Sequence, residues 1–596
     1  MPYQPPVKDM LFVMNELANL QAISELPGCE DATPETAEAV LEESAKFVAA
    51  EIAPLNHAAD KEPSYWTKDG VVTSKGFKEA FKQFAEAGWQ GLQHPTDFGG
   101  QGLPKLVGTP CVEMLHGANI SFALCPLLSD GAIEALLTAG DDQLKATYLE
   151  NLVTGKWTGT MNLTEPQAGS DLAAVRTRAE PQGDGTYKIF GTKIFITYGD
   201  HDMTENIVHL VLARTPDAPP GVKGISLFIV PKFLVNADGS LGARNDAHCV
   251  SIEHKLGIKA SPTAVLQFGD NGGAIGTLVG EENRGLEYMF IMMNAARFGV
   301  GLQGIGLSEH AYQHALAYAK ERVQSRDLNG SPAGVAIIHH PDVRRLLMNM
   351  RAQTEAARAL AYVGAALYDQ AHHSADADER ARNQAVYEYL VPIIKGWSTE
   401  LSQDVARDGV QIHGGMGFIE ETGAAQHYRD AKILTIYEGT TAIQANDLIG
   451  RKTVRDGGKV AKDLIAQVRA TEVELAALDG AEFAAIRKHL AQGAAELEAV
   501  VDYVVGNIKA DIKGVFAGSV PYLKLAGIVL GGWQMARAAL ISQRKLSAGD
   551  GDASFYQAKI ATARFFADHF LSQAAGIRAS ITDGSAGVLA LDIEQF

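Results

Sequence analysis

Tyr187-Lys-Ile-Phe-Gly191, Lys193-Ile-Phe-Ile-Thr197, Ile207-Val-His-Leu-Val-Leu212, Gly224-Ile-Ser-Leu-Phe-Ile-Val230 and Ala264-Val-Leu-Gln-Phe268 decide the fold class. They are short runs rich in β-branched and aromatic residues, which pack well on a pleated surface. Turn clusters such as Gly183-Asp-Gly185 and Pro219-Pro-Gly221 separate them. No pattern long enough for a crossover helix intervenes. The spacing therefore predicts an antiparallel β domain over residues 158–280, not a series of βαβ units.

On both sides of that region the periodicity is helical. Upstream, Val40, Leu41, Ser44, Phe47 and Val48 share one stripe, as do Phe77, Phe81, Phe84 and Ala85. Residues 35–157 are thus predicted to form a helical domain, with breakers at Gly99-Gly100 and Gly102. Residues 1–34 read as an extension with one short amphipathic helix over about 10–26. Downstream, residues 341–373 keep apolar spacing of three and four through Val343, Leu346, Leu347, Met350, Ala357, Leu360, Ala361, Ala365 and Leu367. A helix that long predicts a bundle, here over 281–452. The pattern breaks at Asp456-Gly-Gly458, and an alanine-rich helical segment follows, so 453–596 are expected to form an additional helical domain. The expected fold is α+β and multidomain.

Composition bounds the function classes. The chain has 596 residues, too many for one core at about 150 residues per domain. Its formal net charge is −19, from 71 acidic and 52 basic side chains, so it has no general attraction for nucleic acid or anionic membrane. The first residues, MPYQPPVKDM, place prolines where a signal peptide needs an apolar core. The best apolar run, Leu525 to Ala536, begins just after Lys524 and is short for a membrane span. Cys29, Cys111, Cys125 and Cys249 are scattered, which argues for reduced thiols and against a structural zinc site. The expectation is a soluble cytoplasmic protein with no metal.

Some motifs can be set aside. Gly299-Val-Gly-Leu-Gln-Gly304 fits a dinucleotide fingerprint, but that fingerprint must follow a strand. Here it lies within a helical pattern running from Met289 to Glu321, where small residues allow close helix packing. His310 and His314 have metal-ligand spacing without a third ligand and are expected on an exposed helix face.

Three segments carry chemistry: Met161-Asn-Leu-Thr-Glu-Pro-Gln-Ala-Gly-Ser-Asp171, Lys193-Ile-Phe-Ile-Thr-Tyr-Gly199, and Arg429-Asp-Ala-Lys-Ile-Leu-Thr-Ile-Tyr-Glu-Gly-Thr-Thr441. In the third, Glu438 follows an apolar run and precedes a flexible glycine. A carboxylate there can be desolvated when a substrate closes over it, which strengthens it as a base. Alternatively, Glu438 caps a helix that begins at Thr440.

Together the segments resemble the acyl-CoA dehydrogenase family, whose TEPxAGSD turn, K-x-aromatic-I-T strand and YEGT loop occur in this order and spacing. Asn294-Ala-Ala-Arg297 and Gln411-Ile-His-Gly-Gly-Met-Gly-Phe418 resemble two further family elements. The resemblance covers about residues 35–452 and implies an FAD enzyme that converts an acyl-CoA to its trans-2-enoyl-CoA. It implies Glu438 as the catalytic base for the α-proton, with its backbone N–H as one donor to the thioester oxygen. It assigns FAD to Met161, Leu163, Thr164, Gly169, Ser170, Phe195, Thr197, Arg322, Gln324, Gln411, Gly414, Gly415, Thr440 and Thr441. It assigns the substrate to Ser170, Arg297, Tyr437 and Gly439. Arg322 matches an arginine that reaches the FAD of a neighbouring subunit, which implies a homodimer or homotetramer. Ser170 as a helix N-cap and Arg322 as a surface charge are the plain alternatives. The implied electron acceptor is an electron-transfer flavoprotein.

Phe195 stands where tryptophan is commoner, Val323-Gln-Ser325 where many members have Lys-Thr-Phe, and Ala442 where many have glutamine. The N-terminal extension and the segment after Arg451 resemble the larger bacterial branch of the family. The implied substrate is a short acyl-CoA, 3-methylmercaptopropionyl-CoA foremost, with a longer fatty acyl-CoA as the alternative. An acyl-CoA oxidase and a nucleic-acid-associated flavoprotein are the rival readings. Residues 453–596 lack the basic excess the latter needs.

Overall fold

A computed structural model describes residues 3–596. In chain order the helices begin with α1 (Val7–Phe12), α2 (Leu20–Ser24), α3 (Pro34–Phe47), α4 (Ala53–Lys61), α5 (Phe77–Glu86), α6 (Lys105–Ala118), α7 (Ile120–Ala139) and α8 (Asp142–Val153). After the strands come α9 (Gly285–Glu321), α10 (Pro341–His373), α11 (Ala377–His413), α12 (Ala424–Leu434) and α13 (Thr441–Asp447). The last are α14 (Lys459–Leu475), α15 (Ala481–Asn507), α16 (Ile512–Ala517), α17 (Ser519–Ala548), α18 (Ala553–His569), α19 (Ala574–Thr582) and α20 (Ser585–Val588). The predicted long helix coincides with α10. The expected single N-terminal helix does not form: α1 passes into a π-turn at Val13–Leu17 and stops at Asn19, whose φ of 55° is left-handed.

The chain divides into two compact units. The sheet unit comprises Phe47–Leu103 and Ala118–Gly299. Its strands are β1 (Tyr65–Thr67), β2 (Gly70–Val72), β3 (Trp157–Asn162), β4 (Arg178–Pro181), β5 (Thr186–Thr197), β6 (Asn206–Ala213), β7 (Ser226–Pro231), β8 (Phe233–Val235), β9 (Leu241–Arg244), β10 (Ala247–Ile252), β11 (Thr263–Phe268) and β12 (Ala274–Val279). The main sheet runs β10-β11-β5-β12-β7-β6-β3, with β4 paired to β5. Two of the predicted runs merge into β5. The expectation of a wholly antiparallel domain needs correction, because β3 and β6 are parallel, in register from Trp157 opposite Asn206 to Asn162 opposite Val211. The connection between them runs through β4 and β5, so no crossover helix marks it in the sequence. The sheet core gathers Ile189, Ile196, Val211, Phe228, Leu266 and Phe268. Helix α7 lies on β3 so closely that a Cβ on Gly159 would fall 2.4 Å from that of Ala132. The predicted stripe on α5 buries Phe77, Phe81 and Phe84 around Phe122, whose ring lies 5.5 Å from that of Phe77. The β1–β2 hairpin had no clear signal, each strand being three residues long.

The helical unit comprises the chain up to Lys46, Pro104–Gly117 and Val300–Phe596. The glycines of the set-aside fingerprint are packing residues. A Cβ on Gly301 would meet the Ile394 carbonyl at 2.9 Å, and one on Gly304 would meet that of Ser398 at 2.4 Å, so α9 and α11 touch along their backbones. Helix α17 sits on α11 in the same manner. The Trp397 indole lies over Gly527 and Gly531, where added Cβ atoms would approach it to 2.3 and 2.5 Å. Helices α7 and α17 are long and apolar enough to cross a bilayer, but 83% and 89% of their most apolar windows are buried inside the fold. The N-terminal extension docks on the C-terminal helices. Glu16 pairs with Lys545 at 3.0 Å, the Leu17 carbonyl accepts from Arg537 at 2.9 Å, and Phe12 packs edge-on against Phe555. Beneath it, Arg358 is 1% exposed and reaches Asp9, Glu113 and Glu309 at 2.6–2.8 Å. Lys559 of α18 pairs with both Asp9 and Glu355. Buried charges persist only when paired in this way.

Candidate active site

Glu438 occupies the turn between α12 and α13 on the helical unit. Its φ is 53° and that of Gly439 is 85°, two successive left-handed residues. A non-glycine residue there costs about 1–2 kcal/mol and is held only where its surroundings over-determine it. The surroundings are specific. The ammonium of Lys395, a residue 0% exposed on α11, donates to the Leu434 carbonyl at 2.9 Å and to that of Gly439 at 2.7 Å. Gln444 donates to the Glu438 and Gly439 carbonyls at 3.2 Å. The Thr441 N–H donates to the Thr435 carbonyl at 3.1 Å, and its hydroxyl donates to Glu400 at 2.5 Å. Thr440, not Glu438, caps α13, accepting from the Ile443 N–H at 3.3 Å. The capping alternative for Glu438 therefore falls away. The Tyr437 hydroxyl donates to Gln303, and burial with the adjacent Glu438 charge pushes its ionisation well above the usual phenol range. Glu438 itself is half-buried.

On the sheet unit, Leu163 and Thr164 leave β3 half-buried, while Met161 is buried within that strand. The turn that follows is pinned to β5: the Thr164 carbonyl accepts from the Ile194 N–H at 2.9 Å and the Leu163 carbonyl from Lys193 at 3.0 Å. The anchor is a buried ion pair between Lys193 and Glu165 at 2.9 Å, with side chains 0% and 4% exposed. Glu165 also accepts from the Thr177 hydroxyl at 2.6 Å and from the N–H groups of Arg176 and Thr177 at 2.8 and 3.0 Å. Burial opposes its ionisation, yet Lys193 and these donors hold its carboxyl at about 2. Burial also lowers Lys193, to about 8, against the pull of Glu165. Two residues past Lys193, the pairing of β5 with β11 slips by a bulge. Phe195 sits there at φ 60° and is 59% exposed. An aromatic residue in the left-handed region, turned outward, is an outlier of the kind found at functional sites. Thr197 is half-buried opposite Thr263. Gly169 and Ser170 are exposed; Asp171, not Ser170, caps the next short helix. Arg297 is 4% exposed on α9.

The remaining candidates gather at neighbouring helix ends of the helical unit. Gln411, Gly414 and Gly415 close α11 exposed, and neither glycine has an atom within 4 Å of an added Cβ. His413 stacks on Tyr318 at 4.5 Å, one turn before Arg322, which leaves the end of α9 exposed and donates to Gln324 at 3.3 Å. His310 and His314 correct an expectation: they are half-buried, against His427 at 4.6 Å and His413 at 4.6 Å respectively. The exposed-face reading took two turns of helix in isolation, whereas α11 and α12 cover them. Among the described residues no cluster suits a metal ion.

Sequence reasoning did not single out Glu165, Lys193, Lys395 or Gln444. A signal existed for Lys395, a lone charge within the apolar helical run Ile-Ile-Lys395-Gly-Trp, whereas Lys193 follows Gly191-Thr192 at the head of Ile-Phe-Ile. Nothing local announced what they hold.

Comparison with known proteins matches this arrangement along nearly the whole chain. Residues 34–156, 160–271 and 283–452 match the families described as acyl-CoA dehydrogenase N-terminal, middle and C-terminal domains. Residues 464–592 match the acetyl-CoA dehydrogenase C-terminal-like family. The 3-methylmercaptopropionyl-CoA dehydrogenase of Ruegeria pomeroyi is 52% identical over 590 residues, covering 99% of each chain. A butyryl-CoA dehydrogenase of Syntrophomonas wolfei is 37% identical, over 93% of this chain and 91% of its own. Among solved structures, Caenorhabditis elegans ACDH-11 in complex with C11-CoA has a TM-score of 0.76 at 19% identity, covering 98% of this chain and 96% of its own.

Proposed function

The chain belongs to the acyl-CoA dehydrogenase family, and from that premise we propose that it oxidises a short acyl-CoA thioester, 3-methylmercaptopropionyl-CoA foremost, to the trans-2-enoyl-CoA with FAD. The observation that carries the reading is Glu438 in its left-handed turn, whose backbone Lys395 bonds at the Leu434 and Gly439 carbonyls and Gln444 at the Glu438 carbonyl. Two similar relatives are named for short acyl-CoAs, 3-methylmercaptopropionyl-CoA and butyryl-CoA, which supports the chain length.

The residues present fit FAD. Phe195 offers an exposed flat apolar face, the Gly414-Gly415 backbone is open to close approach, and Arg322 is an exposed cation suited to a pyrophosphate. Met161, Leu163, Thr164, Gly169, Ser170, Thr197, Gln324, Gln411, Thr440 and Thr441 complete the proposed contacts. When bound, FAD supplies the acceptor for the hydride that leaves the β-carbon. Glu438 takes the α-proton as the α-carbon–hydrogen bond breaks. A thioester α-proton is too weakly acidic for an unaided carboxylate, so developing charge on the thioester oxygen needs a fixed donor, and the Glu438 N–H is assigned that task. Tyr437, Gly439, Arg297 and Ser170 are assigned to the substrate. Holding the α-carbon at the carboxylate is the orientation part of the rate enhancement.

The wider proposal places the enzyme in the cytoplasm, in breakdown of dimethylsulfoniopropionate-derived thioesters. It acts as a homodimer or homotetramer in which Arg322 reaches the neighbouring subunit's FAD, and an electron-transfer flavoprotein is the acceptor. The test is anaerobic flavin bleaching of the purified protein by 3-methylmercaptopropionyl-CoA, butyryl-CoA and palmitoyl-CoA. Rapid bleaching by the two short thioesters is expected, and Glu438→Gln is expected to keep FAD and lose bleaching. Preference for palmitoyl-CoA would move the enzyme to longer fatty acyl chains. Normal bleaching of Glu438→Gln would overturn the assignment of the base.

A further inference from the structure

We propose that Lys395 is a positioning residue that sets the aim of Glu438 by clamping both ends of its turn. The inference rests on the dehydrogenase reading and extends it from the base to the device that holds the base. A buried ammonium is costly unless its donors are satisfied, and it has three to place. Lys395 spends two of them on one short turn: Leu434, the last residue of α12, and Gly439, the residue after the base. A helix C-terminus favours a cation, so the bond to Leu434 alone would be an ordinary cap. The shorter bond, to Gly439 at 2.7 Å, has no capping purpose. It fixes the peptide between Gly439 and Thr440, whose carbonyl Gln444 also bonds, while Gln444 fixes the one between Glu438 and Gly439 as well. Together they hold the left-handed backbone from which both the carboxylate and the Glu438 N–H project.

The turn of α11 that bears Lys395 is itself seated by the C-terminal helices. A Cβ on Gly396 would meet Leu523 of α17 at 2.7 Å, and the next residue, Trp397, lies over Gly527 and Gly531. Tyr389, two turns earlier, bonds the Tyr522 hydroxyl at 3.0 Å, which also meets Thr453 at 2.9 Å. Residues 519–548 thus act on the base at one remove, through the seat of Lys395.

The experiment uses the FAD-bound full-length protein and single-turnover flavin reduction by the acyl-CoA that best bleaches the wild type. Lys395→Met is expected to retain FAD and acyl-CoA affinity while reduction slows about 10- to 100-fold, the scale of a misplacement of about 1 Å. Lys395→Arg keeps both charge and donors and is expected to recover most of the rate. An unchanged rate in Lys395→Met overturns the proposal, as does slowing matched by an equal loss of FAD and acyl-CoA binding, the mark of a merely structural role. Should Lys395→Met fail to fold, Gln444→Met releases the Glu438 carbonyl and leaves the ammonium in place. It must show the same selective slowing, and a normal rate there overturns the proposal. A wild type bleached by no acyl-CoA would overturn the dehydrogenase reading and this inference with it. A bleached wild type with a normal Lys395→Met overturns the inference alone.

Discussion

Replacing Lys193 by methionine strands the Glu165 carboxylate inside the sheet unit. The pair is 2.9 Å apart, and neither side chain is more than 4% exposed, so solvent cannot screen the loss. The carboxyl is held at about 2 against an ordinary 4.5, a difference worth about 3 kcal/mol of folded-state stability. Because the folded value is depressed, that contribution is present above pH 4.5 and is lost as pH falls from there toward about 2. Breaking a buried pair from one side costs about 3–5 kcal/mol, and the donors from Thr177 and Arg176 remain, so Lys193→Met is expected at the low end, near 3 kcal/mol at pH 7. The same change frees the Leu163 carbonyl and loosens the turn that leads to Gly169, so FAD affinity should fall as well. The assay is urea unfolding at pH 7 followed by flavin release, for Lys193→Met, Glu165→Gln and the double variant. The double variant should be markedly more stable than the sum of the two single losses, because it leaves no unpaired charge. Strict additivity, or a Lys193→Met protein as stable as the wild type, would refute the account of the turn as anchored by this pair.

Two further outcomes follow from packing and charge. Asp369 caps the start of α6 through the Lys105 and Leu106 N–H groups at 2.7 and 2.8 Å, yet burial pushes its carboxyl up to about 7. A raised folded value gives stability that is full below 3.8 and fades as pH rises through about 7. Denaturation midpoints of Asp369→Asn should therefore vary less than wild type between pH 4 and 7, and an unchanged slope would refute the assignment. Gly527→Leu drives side-chain atoms into Trp397, starting from a Cβ only 2.3 Å from the ring. Overpacking of this kind costs about 1–3 kcal/mol, and flavin reduction should slow because the displaced turn of α11 carries Lys395. Thermal unfolding and single-turnover reduction measure the two effects separately.

Much of this protein was legible from local pattern. Spacing of three and four over Pro341–His373 produced a helix with those ends, because an apolar stripe on a helix depends only on near neighbours. The β-branched runs became strands, and the motif order named the family and pointed to Glu438. What the sequence left open are relations between residues far apart in the chain. β3 and β6 pair in parallel across two intervening strands, and periodicity carries no record of direction. His310 and His314 face inward because other helices cover them. The left-handed backbone of Phe195 and Glu438 runs against the preference of their side chains and is imposed by a bulge and by buried donors. Lys395 lies 44 positions from the carbonyl it holds at Gly439, and Lys193 lies 28 from Glu165. The sequence by itself determined most of the helices and strands and the family to which the chain belongs, since both are carried by short-range pattern and residue type. Only the tertiary structure decided how the turn around Glu438 is held, because a buried charge chooses its partners through space and not along the chain.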